Sequence, residues 1–200
     1  IYLSSGAVYG LNKKKKKISE KNLKINNLSQ LNFYKKLYAL NKLKSEKKFL
    51  SLNNAHKIVI LRLFSISGKY AQTKSNYIIK DLIEWINKKK ILYIKNENLK
   101  FTYRSFLSSD DLVNIIFYLS ASENSSVNRN IFNIGLDKPI NLLHLVKSIA
   151  EKYDLKYSLP DREVKKVDFY VPNINKLLKQ IKYKIKLKNI NDQINLLLNQ

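Results

Sequence analysis

A tyrosine and a lysine four positions apart, Tyr38 and Lys42, have the spacing that most directly suggests chemistry. In an α-helix this spacing puts both side chains on one face. A lysine ammonium beside a phenol favours the phenolate, so the phenol exchanges a proton more readily than its ordinary pKa of ~10 permits. The spacing needs support from its context, because Tyr and Lys are abundant and two further pairs share it: Tyr9/Lys13 and Tyr70/Lys74.

The context is a pair of predicted strands that end in polar residues on either side of this helix in the sequence. The apolar run that opens the chain stops at Ser4 and Ser5, and the continuous apolar run at 58–64 stops at Ser65. In open parallel sheets, ligands bind beyond the carboxyl ends of the strands. A strand-end serine together with a helix tyrosine and lysine could polarise a carbonyl or hydroxyl carbon while a nicotinamide exchanges hydride with it.

The elements that position these residues alternate between strands and helices. We predict strands at 1–5, 58–64, 91–94, 101–105 and 131–135, and helices at 31–52, 77–87, 112–119, 141–153 and 192–198. This alternation indicates an α/β fold with a parallel sheet. Residues 11–30 lack periodicity and include Lys13–Lys17, so they predict an exposed loop. Asn133, within the strand at 131–135, is interpreted as a turn-forming residue.

The composition favours a globular protein without metal or disulfide chemistry. The 200 residues are 44% hydrophobic and include no Cys, which excludes disulfides, thiolate-zinc sites and cysteine nucleophiles. His56 and His144 have no acidic partners at a suggestive spacing, so we predict no metal site. No apolar run reaches the ~18 residues that a membrane span needs, and we expect a cytoplasmic protein with no membrane partner.

The net charge of +23 has two possible interpretations. Only four of the 38 basic residues are Arg, and lysine lacks the bidentate contacts by which Arg reads nucleic acids. Residues 11–57 nevertheless hold fourteen Lys against only Glu20 and Glu46. The first interpretation is that the lysines lie on solvated surfaces, and nucleic acid is then not expected as a partner. The alternative is a non-catalytic remnant that binds nucleic acid or another polyanion through this segment.

Six motifs resemble, in order, the extended short-chain dehydrogenase/reductase superfamily, and within it the NAD-dependent epimerase/dehydratase family of nucleotide-sugar enzymes. They cover essentially the whole chain. The motifs are Ser-Ser-x-x-Val-Tyr-Gly at 4–10, Tyr-x-x-x-Lys with a trailing Glu at 38–46, Arg-Leu-Phe to Gly at 62–68, Arg-Ser-Phe to Asp-Asp-Leu-Val at 104–113, Phe-Asn-Ile-Gly at 132–135 and Asp-Phe-Tyr-Val-Pro at 168–172.

The resemblance implies three catalytic residues and a cofactor. Ser5 would hydrogen-bond the reacting sugar oxygen, and Tyr38 would act as the acid/base. Lys42 would bind the nicotinamide ribose of NAD or NADP beside Tyr38. The sequence does not separate the two cofactors.

The resemblance also implies residues that bind a nucleotide-sugar substrate. Arg104 would pair with the diphosphate, a contact that suits its bidentate geometry. Ser65 stands where epimerases often have a substrate-touching Asn, and Tyr9 either lines the sugar pocket or only packs.

The residues of the first and last motifs most closely resemble those of the epimerase and 4-ketoreductase branch. The expected reaction is hydride transfer at C4 of an NDP-hexose, in a glycan-precursor pathway such as lipopolysaccharide biosynthesis. Dehydratases carry an acidic pair at the positions held here by Gly6 and Ala7, so a 4,6-dehydratase is disfavoured. Epimerase and reductase stay open as alternatives.

One departure from the family concerns the dinucleotide. The Gly-x-x-Gly-x-x-Gly turn that cradles the pyrophosphate is absent from these residues. We therefore expect a truncated chain that is inactive alone, with 1–68 as the C-terminal part of a Rossmann domain and 69–200 mainly a substrate-binding lobe, from which 131–135 returns to the sheet. A homodimer through the catalytic helix is expected by the same resemblance.

Overall fold

The computed structural model describes residues 1–52, 56–68, 78–122, 127–181 and 186–199. In this part of the chain the strands are β1 (Tyr2–Ser5), β2 (Val59–Leu63), β3 (Ser65–Ser67), β4 (Leu92–Tyr93), β5 (Thr102–Arg104), β6 (Phe106–Ser108), β7 (Asn130–Ile134), β8 (Ile140–Asn141), β9 (Tyr157–Ser158) and β10 (Asp168–Tyr170). The α-helices are α1 (Phe33–Leu50), α2 (Ile78–Lys88), α3 (Ser109–Ala121), α4 (Leu142–Tyr153), α5 (Asn175–Ile181) and α6 (Ile190–Leu198).

The sheet that carries the predicted chemistry has the order β1-β2-β7, and both pairings are parallel. Ile60 of β2 pairs with Tyr2 on one side and with Ile131 on the other. Its neighbours Val59 and Leu61 are buried as well, as a continuous apolar run in a parallel strand requires. The α/β class and the parallel sheet are therefore confirmed, and β7 pairs within this sheet.

Helix α1 lies beside β1 and has apolar residues on two faces. Its N-terminus is capped by the Asn32 side chain, which accepts a hydrogen bond from the Lys35 N–H at 3.0 Å. The buried stripe is Ala39, Leu43 and Glu46, at helical spacing. A second apolar stripe, which consists of Phe33, Leu37 and Leu40, is exposed.

Most of the short strands, together with α2, α4 and α6, build the region around Arg104, whereas α3 and α5 pack against β2 and β7. Strand β5 lies between β10, which is parallel to it, and β8, which is antiparallel. Strand β3 pairs in parallel with β6. Helices α2, α4 and α6 share an apolar core that includes Leu82, Trp85, Val146 and Ile194. The sequence predicted the positions of these three helices, whereas α5, β3 and β6 were missed because they are short.

The segment 11–30 is only partly the exposed loop that its composition predicted. Lys13–Lys17 are exposed as expected. Ile18 and Leu28 are buried, at 4% and 1% exposure, in an apolar cluster with Val8 and Ala39. The segment is also anchored to the end of β10. The Ile18 N–H donates to the Val171 carbonyl at 2.9 Å, and the Phe169 N–H donates to the Asn12 carbonyl at 3.0 Å. These two buried side chains stand among many polar ones, so the sequence pattern did not predict that the segment packs against the rest of the molecule.

Among the described helices, none combines the length and the apolar composition that crossing a membrane would require.

Candidate active site

Ser5 ends β1 and begins a tight turn at the edge of the sheet. Its Oγ accepts a hydrogen bond from the Ala7 N–H at 3.2 Å and so caps the 3₁₀ turn Gly6–Tyr9. The turn closes at Gly10, whose φ of 71° lies in the left-handed region that favours glycine. The strand and the turn together hold the half-buried Ser5 hydroxyl at the carboxyl end of β1, where sequence reasoning expected it.

Tyr38 and Lys42 lie on one face of α1, directed toward β1. The Lys42 Nζ is 5.8 Å from the centre of the Tyr38 ring and donates a hydrogen bond to the Leu3 carbonyl at 2.9 Å. Tyr38 is 49% exposed, so its hydroxyl can be reached from outside. The structure thus brings together the helix pair and the strand that ends in Ser5.

Tyr170, to which sequence reasoning gave no role, lies between these residues and Arg104. Its hydroxyl lies beside the turn that follows Ser5, 2.5 Å from where a Cβ atom on Gly6 would stand, and its ring packs against Phe64 with 4.6 Å between ring centres. Burial raises the pKa of Tyr170 well above its ordinary value, and Tyr38 is near enough to raise it further. The only sequence signal for it was its position inside the motif at 168–172.

Arg104 approaches Tyr170 from β5 and is paired with Asp168. The guanidinium carbon is 5.8 Å from the centre of the Tyr170 ring, and Nη2 is 2.6 Å from Asp168 Oδ2. Arg104 also donates to the Tyr103 carbonyl at 2.8 Å. These bonds hold the guanidinium in place while leaving its side chain 24% exposed.

A cavity of about 710 Å³ lies beside Arg104 and Ser65, and both residues line it. Apolar walls come from Trp85, Phe106 and Leu142. This volume and this mixture of apolar walls with a few polar groups are typical of small-molecule sites. Ser5, Tyr38 and Lys42 are not among its lining residues, so the described structure separates the predicted reaction group from the predicted binding group.

Behind the reaction group is a buried polar network that begins on α1. Glu46 follows Lys42 by one helical turn and is 3% exposed. Its carboxylate accepts two hydrogen bonds from Arg62 of β2, Nε to Oε1 at 2.9 Å and Nη2 to Oε2 at 2.7 Å. It also accepts one from the Ser4 hydroxyl at 2.5 Å. This carboxylate therefore fixes α1 to both β1 and β2.

The network continues from Arg62 through Tyr9 to Asn133. The Tyr9 hydroxyl accepts from Arg62 Nη1 at 2.9 Å and donates to Asn133 Oδ1 at 2.7 Å. Burial raises the pKa of Tyr9 to about 12, although Arg62 opposes this rise. Asn133 is fully buried and also donates to the Ile18 carbonyl at 2.8 Å. The interpretation of Asn133 as a turn-forming residue was wrong, because its side chain is buried and is hydrogen-bonded to both Tyr9 and Ile18.

In this structure Tyr9 packs in the interior, which is one of the two roles that the sequence left open. Tyr9 is 2% exposed and its hydroxyl is engaged by Arg62 and Asn133, so the geometry does not support substrate contact. Its i+4 partner Lys13 is exposed on the loop. The pair Tyr70/Lys74 lies outside the described residues.

The sequence was compared with known protein families. The sequence model of the NAD dependent epimerase/dehydratase family matches residues 1–135, which include Ser5, Tyr38, Lys42 and Arg104. The chain belongs to this family. No curated protein matches the chain significantly.

Solved structures match the fold of this family member over nearly all of its length. MoeE5 in complex with UDP-glucuronic acid and NAD aligns with a TM-score of 0.77 at 16% identity, over 98% of this chain and 62% of that chain. UDP-N-acetylglucosamine 4-epimerase from Methanobrevibacter ruminantium gives 0.74 at 20% identity, over 98% and 60%. UDP-glucose 4-epimerase from Thermotoga maritima gives 0.75 at 17% identity, over 98% and 61%. The epimerase/dehydratase family member thus spans about three-fifths of the length of these structures.

Proposed function

We propose that this epimerase/dehydratase family member is part of an NAD(P)-dependent nucleotide-sugar epimerase or 4-ketoreductase that acts at C4 of an NDP-hexose. The observation that carries the proposal is the position of Tyr170 between the two groups: its ring is 5.8 Å from the Arg104 guanidinium carbon, and its hydroxyl lies beside the turn that follows Ser5. Three of the solved structures that share the fold are described in complex with UDP-glucuronic acid, UDP-N-acetylmuramic acid and UDP-glucose.

In this reaction Tyr38 moves the proton and Ser5 orients the sugar. The exposed Tyr38 side chain, as the phenolate, accepts the proton of the sugar hydroxyl as it becomes a carbonyl, and as the phenol it returns the proton in the reverse direction. The Ser5 hydroxyl donates a hydrogen bond to the same sugar oxygen, where negative charge develops. The Lys42 ammonium lies 5.8 Å from the centre of the Tyr38 ring, on the same helix face.

Substrate binding is assigned to Arg104 and to the cavity beside it. The guanidinium would pair with the diphosphate, and Asp168 keeps its orientation fixed. Ser65 lines the same cavity and would contact the substrate there. The apolar walls leave room for the rest of the nucleotide.

The donors present fit the nicotinamide end of a dinucleotide. Lys42 and the exposed Tyr38 lie next to the carboxyl end of β1, where they could hold ribose hydroxyls. The dinucleotide, when bound, supplies the site that accepts and returns hydride. Either NAD or NADP meets this requirement.

Turnover by the full-length protein that contains this chain tests the proposal. UDP-, dTDP-, CDP- and GDP-hexoses and their 4-keto forms would be assayed with NAD and NADPH, together with Tyr38→Phe. We expect the variant to lose at least about 100-fold in kcat, because proton transfer loses its general acid/base. The control Tyr34→Phe removes a hydroxyl one turn earlier on the same helix, from a residue that is 81% exposed, and should keep full activity. A folded protein that binds neither dinucleotide nor nucleotide sugar would contradict the proposal and would favour polyanion binding through 11–57.

We also propose a homodimer formed through α1. Phe33, Leu37 and Leu40 form an apolar stripe with exposures of 72%, 46% and 38%. They lie on the helix that carries Tyr38, so a second copy packed there would also stabilise the reaction group.

A further inference from the structure

Tyr2 of β1 is in contact with Lys42, and none of the functional motifs includes it. Its ring packs against Phe49 of α1, with 4.8 Å between ring centres, and the Lys42 Nζ lies 5.2 Å from the centre of the same ring. Phe49 follows Lys42 by seven positions, about two helical turns, so both lie on the face of α1 that meets β1. The Tyr2 ring therefore reaches two turns of the helix that carries the predicted acid/base.

The alternation of side chains along β1 explains this contact. Tyr2 and Ser4 lie on the same face of the strand, because successive side chains of a strand point to opposite faces. Both contact α1, Tyr2 through Phe49 and Lys42, and Ser4 through a hydrogen bond to Glu46 at 2.5 Å. One face of β1 thus carries two side chains that contact α1, and Tyr2 is the one of these two that reaches the lysine.

The Lys42 ammonium lies among two aromatic rings and a backbone carbonyl. Its Nζ is 5.2 Å from the centre of the Tyr2 ring and 5.8 Å from that of the Tyr38 ring, and it donates to the Leu3 carbonyl at 2.9 Å. A cation within about 6 Å of a ring centre is attracted by the negative face of the ring. A lysine has three N–H donors, so the bond to Leu3 leaves two of them. Two donors suit the two neighbouring hydroxyls of a ribose, the group that the resemblance assigns to Lys42.

The Tyr2 ring holds this ammonium from a rigid part of the molecule. Tyr2 lies in the parallel sheet, where it pairs with Ile60. A lysine carries its charge on a flexible four-carbon stem, and fixing that stem costs conformational entropy. A side chain that is already held in place loses less freedom when a ligand binds to it. The ring on β1 therefore lowers the entropic cost of using Lys42 as a binding residue.

We propose that Tyr2 is a positioning residue of the dinucleotide site: its ring face holds the Lys42 ammonium in place while two N–H donors stay available to the ribose. The role in ribose binding rests on the proposed function, whereas the contact between the ring and the ammonium stands on the structure alone. Tyr2 also packs β1 against α1 through Phe49, and the experiment separates this packing from the hold on Lys42.

The contact is tested without any ligand, by the rate at which acetic anhydride acetylates Lys42 in the full-length protein, measured by peptide mass spectrometry. Tyr2→Leu removes the ring face, and we expect the rate at Lys42 to rise about three-fold because the amine is released from the ring. Tyr2→Phe keeps the ring face and should keep the parent rate. Phe49→Leu removes the packing partner of Tyr2 and spares its contact with Lys42, so it should also keep the parent rate. Lys47, which is exposed on the same helix, gives the reference rate in every variant.

Dinucleotide binding is tested by titrating NADH and NADPH into the same proteins and following the nicotinamide fluorescence. We expect Tyr2→Leu to raise the dissociation constant of the dinucleotide that the parent binds about five-fold, while the KM for the nucleotide sugar changes less than about two-fold. Tyr2→Phe and Phe49→Leu should keep the parent dissociation constant. Pentafluorophenylalanine at position 2 keeps the shape of the ring and reverses the charge of its face, so it should act like Tyr2→Leu even where that variant fails to fold.

Each outcome bears on one step of the proposal. Acetylation of Lys42 that is unchanged both in Tyr2→Leu and with pentafluorophenylalanine would overturn the contact. Equal effects of Phe49→Leu and Tyr2→Leu would mean that packing alone is responsible, and would overturn the positioning role. Faster acetylation with an unchanged dissociation constant would overturn the role in ribose binding and leave the proposed function standing. A parent that binds neither dinucleotide would overturn the proposed function and the role in ribose binding together, and the acetylation rates would still decide the contact.

Discussion

Arg62 and Glu46 form a bidentate ion pair in the interior, with Nη2 2.7 Å from Oε2 and side chains that are 2% and 4% exposed. Removing one partner of such a pair leaves an uncompensated buried charge. We expect Glu46→Ala to lower the free energy of unfolding by about 3–5 kcal/mol, measured by urea denaturation of the full-length protein.

The matched control for this pair is Glu84→Ala. Glu84 pairs with Lys80 and Lys88 on the surface of α2, with its side chain 46% exposed. Surface pairs contribute ~0–1 kcal/mol, so the control should change stability little. If the two variants lose equal stability, the buried pair does not fix α1 to the sheet as described.

The buried Tyr9 predicts a loss of stability at alkaline pH. Burial raises its folded pKa to about 12, above the ~10 of an unfolded tyrosine, so between these values the unfolded chain binds fewer protons than the folded one. Its contribution is complete below about pH 10 and falls as pH rises to about 12, by roughly 3 kcal/mol.

Unfolding free energies of the parent and Tyr9→Phe, measured from about pH 9 to about pH 11, check this prediction. The variant should be less stable at neutral pH, because Arg62 and Asn133 lose a partner. Its stability should fall less steeply with pH, although a slope remains because the pKa of Tyr170 is raised in the same direction. Parallel curves for the two proteins would contradict the assignment.

Arg104 provides a test of substrate binding. Arg104→Lys keeps the charge but loses the paired geometry, so we expect KM for the nucleotide sugar to rise about ten-fold, and about 100-fold in Arg104→Gln. Arg162→Gln makes the same change of charge at an exposed position and should leave KM unaltered. Should the two Gln variants give the same KM, Arg104 would not be the residue that binds the diphosphate.

The exposed stripe on α1 predicts the oligomeric state. Leu37→Lys would place a charge in the proposed contact, and sedimentation velocity should then show a monomer where the parent is a dimer. Leu159→Lys adds the same charge at a residue that is 42% exposed elsewhere, and the dimer should persist. A parent that sediments as a monomer would contradict the proposed contact.

The parallel sheet and the helix pair were predictable because their signals are local. The apolar run at 58–64 is long enough to identify a covered strand, and Tyr38 and Lys42 share a helix face at fixed spacing. Asn141 was predicted to begin a helix, and its side chain accepts from the His144 N–H as a cap does.

What sequence reasoning missed depends on partners far away along the chain. Asn133 looks like a turn residue by composition, and its interior role depends on Tyr9, 124 positions earlier. The same is true of Tyr170, whose hydroxyl crowds Gly6 only when β10 lies beside the end of β1. Residue type and spacing carry no information about such pairings.

The docking of the lysine-rich segment onto β10 determines when the site can form during synthesis. Asn12 and Phe169 are bonded to each other but lie 157 positions apart. A growing chain can build β1 and α1 early, yet Asn12 lacks its hydrogen-bonding partner until Phe169 has left the ribosome. Since contacts of such long sequence separation slow folding, the last step in maturation should be the closure of this end of the molecule, where β10 meets the turn after β1.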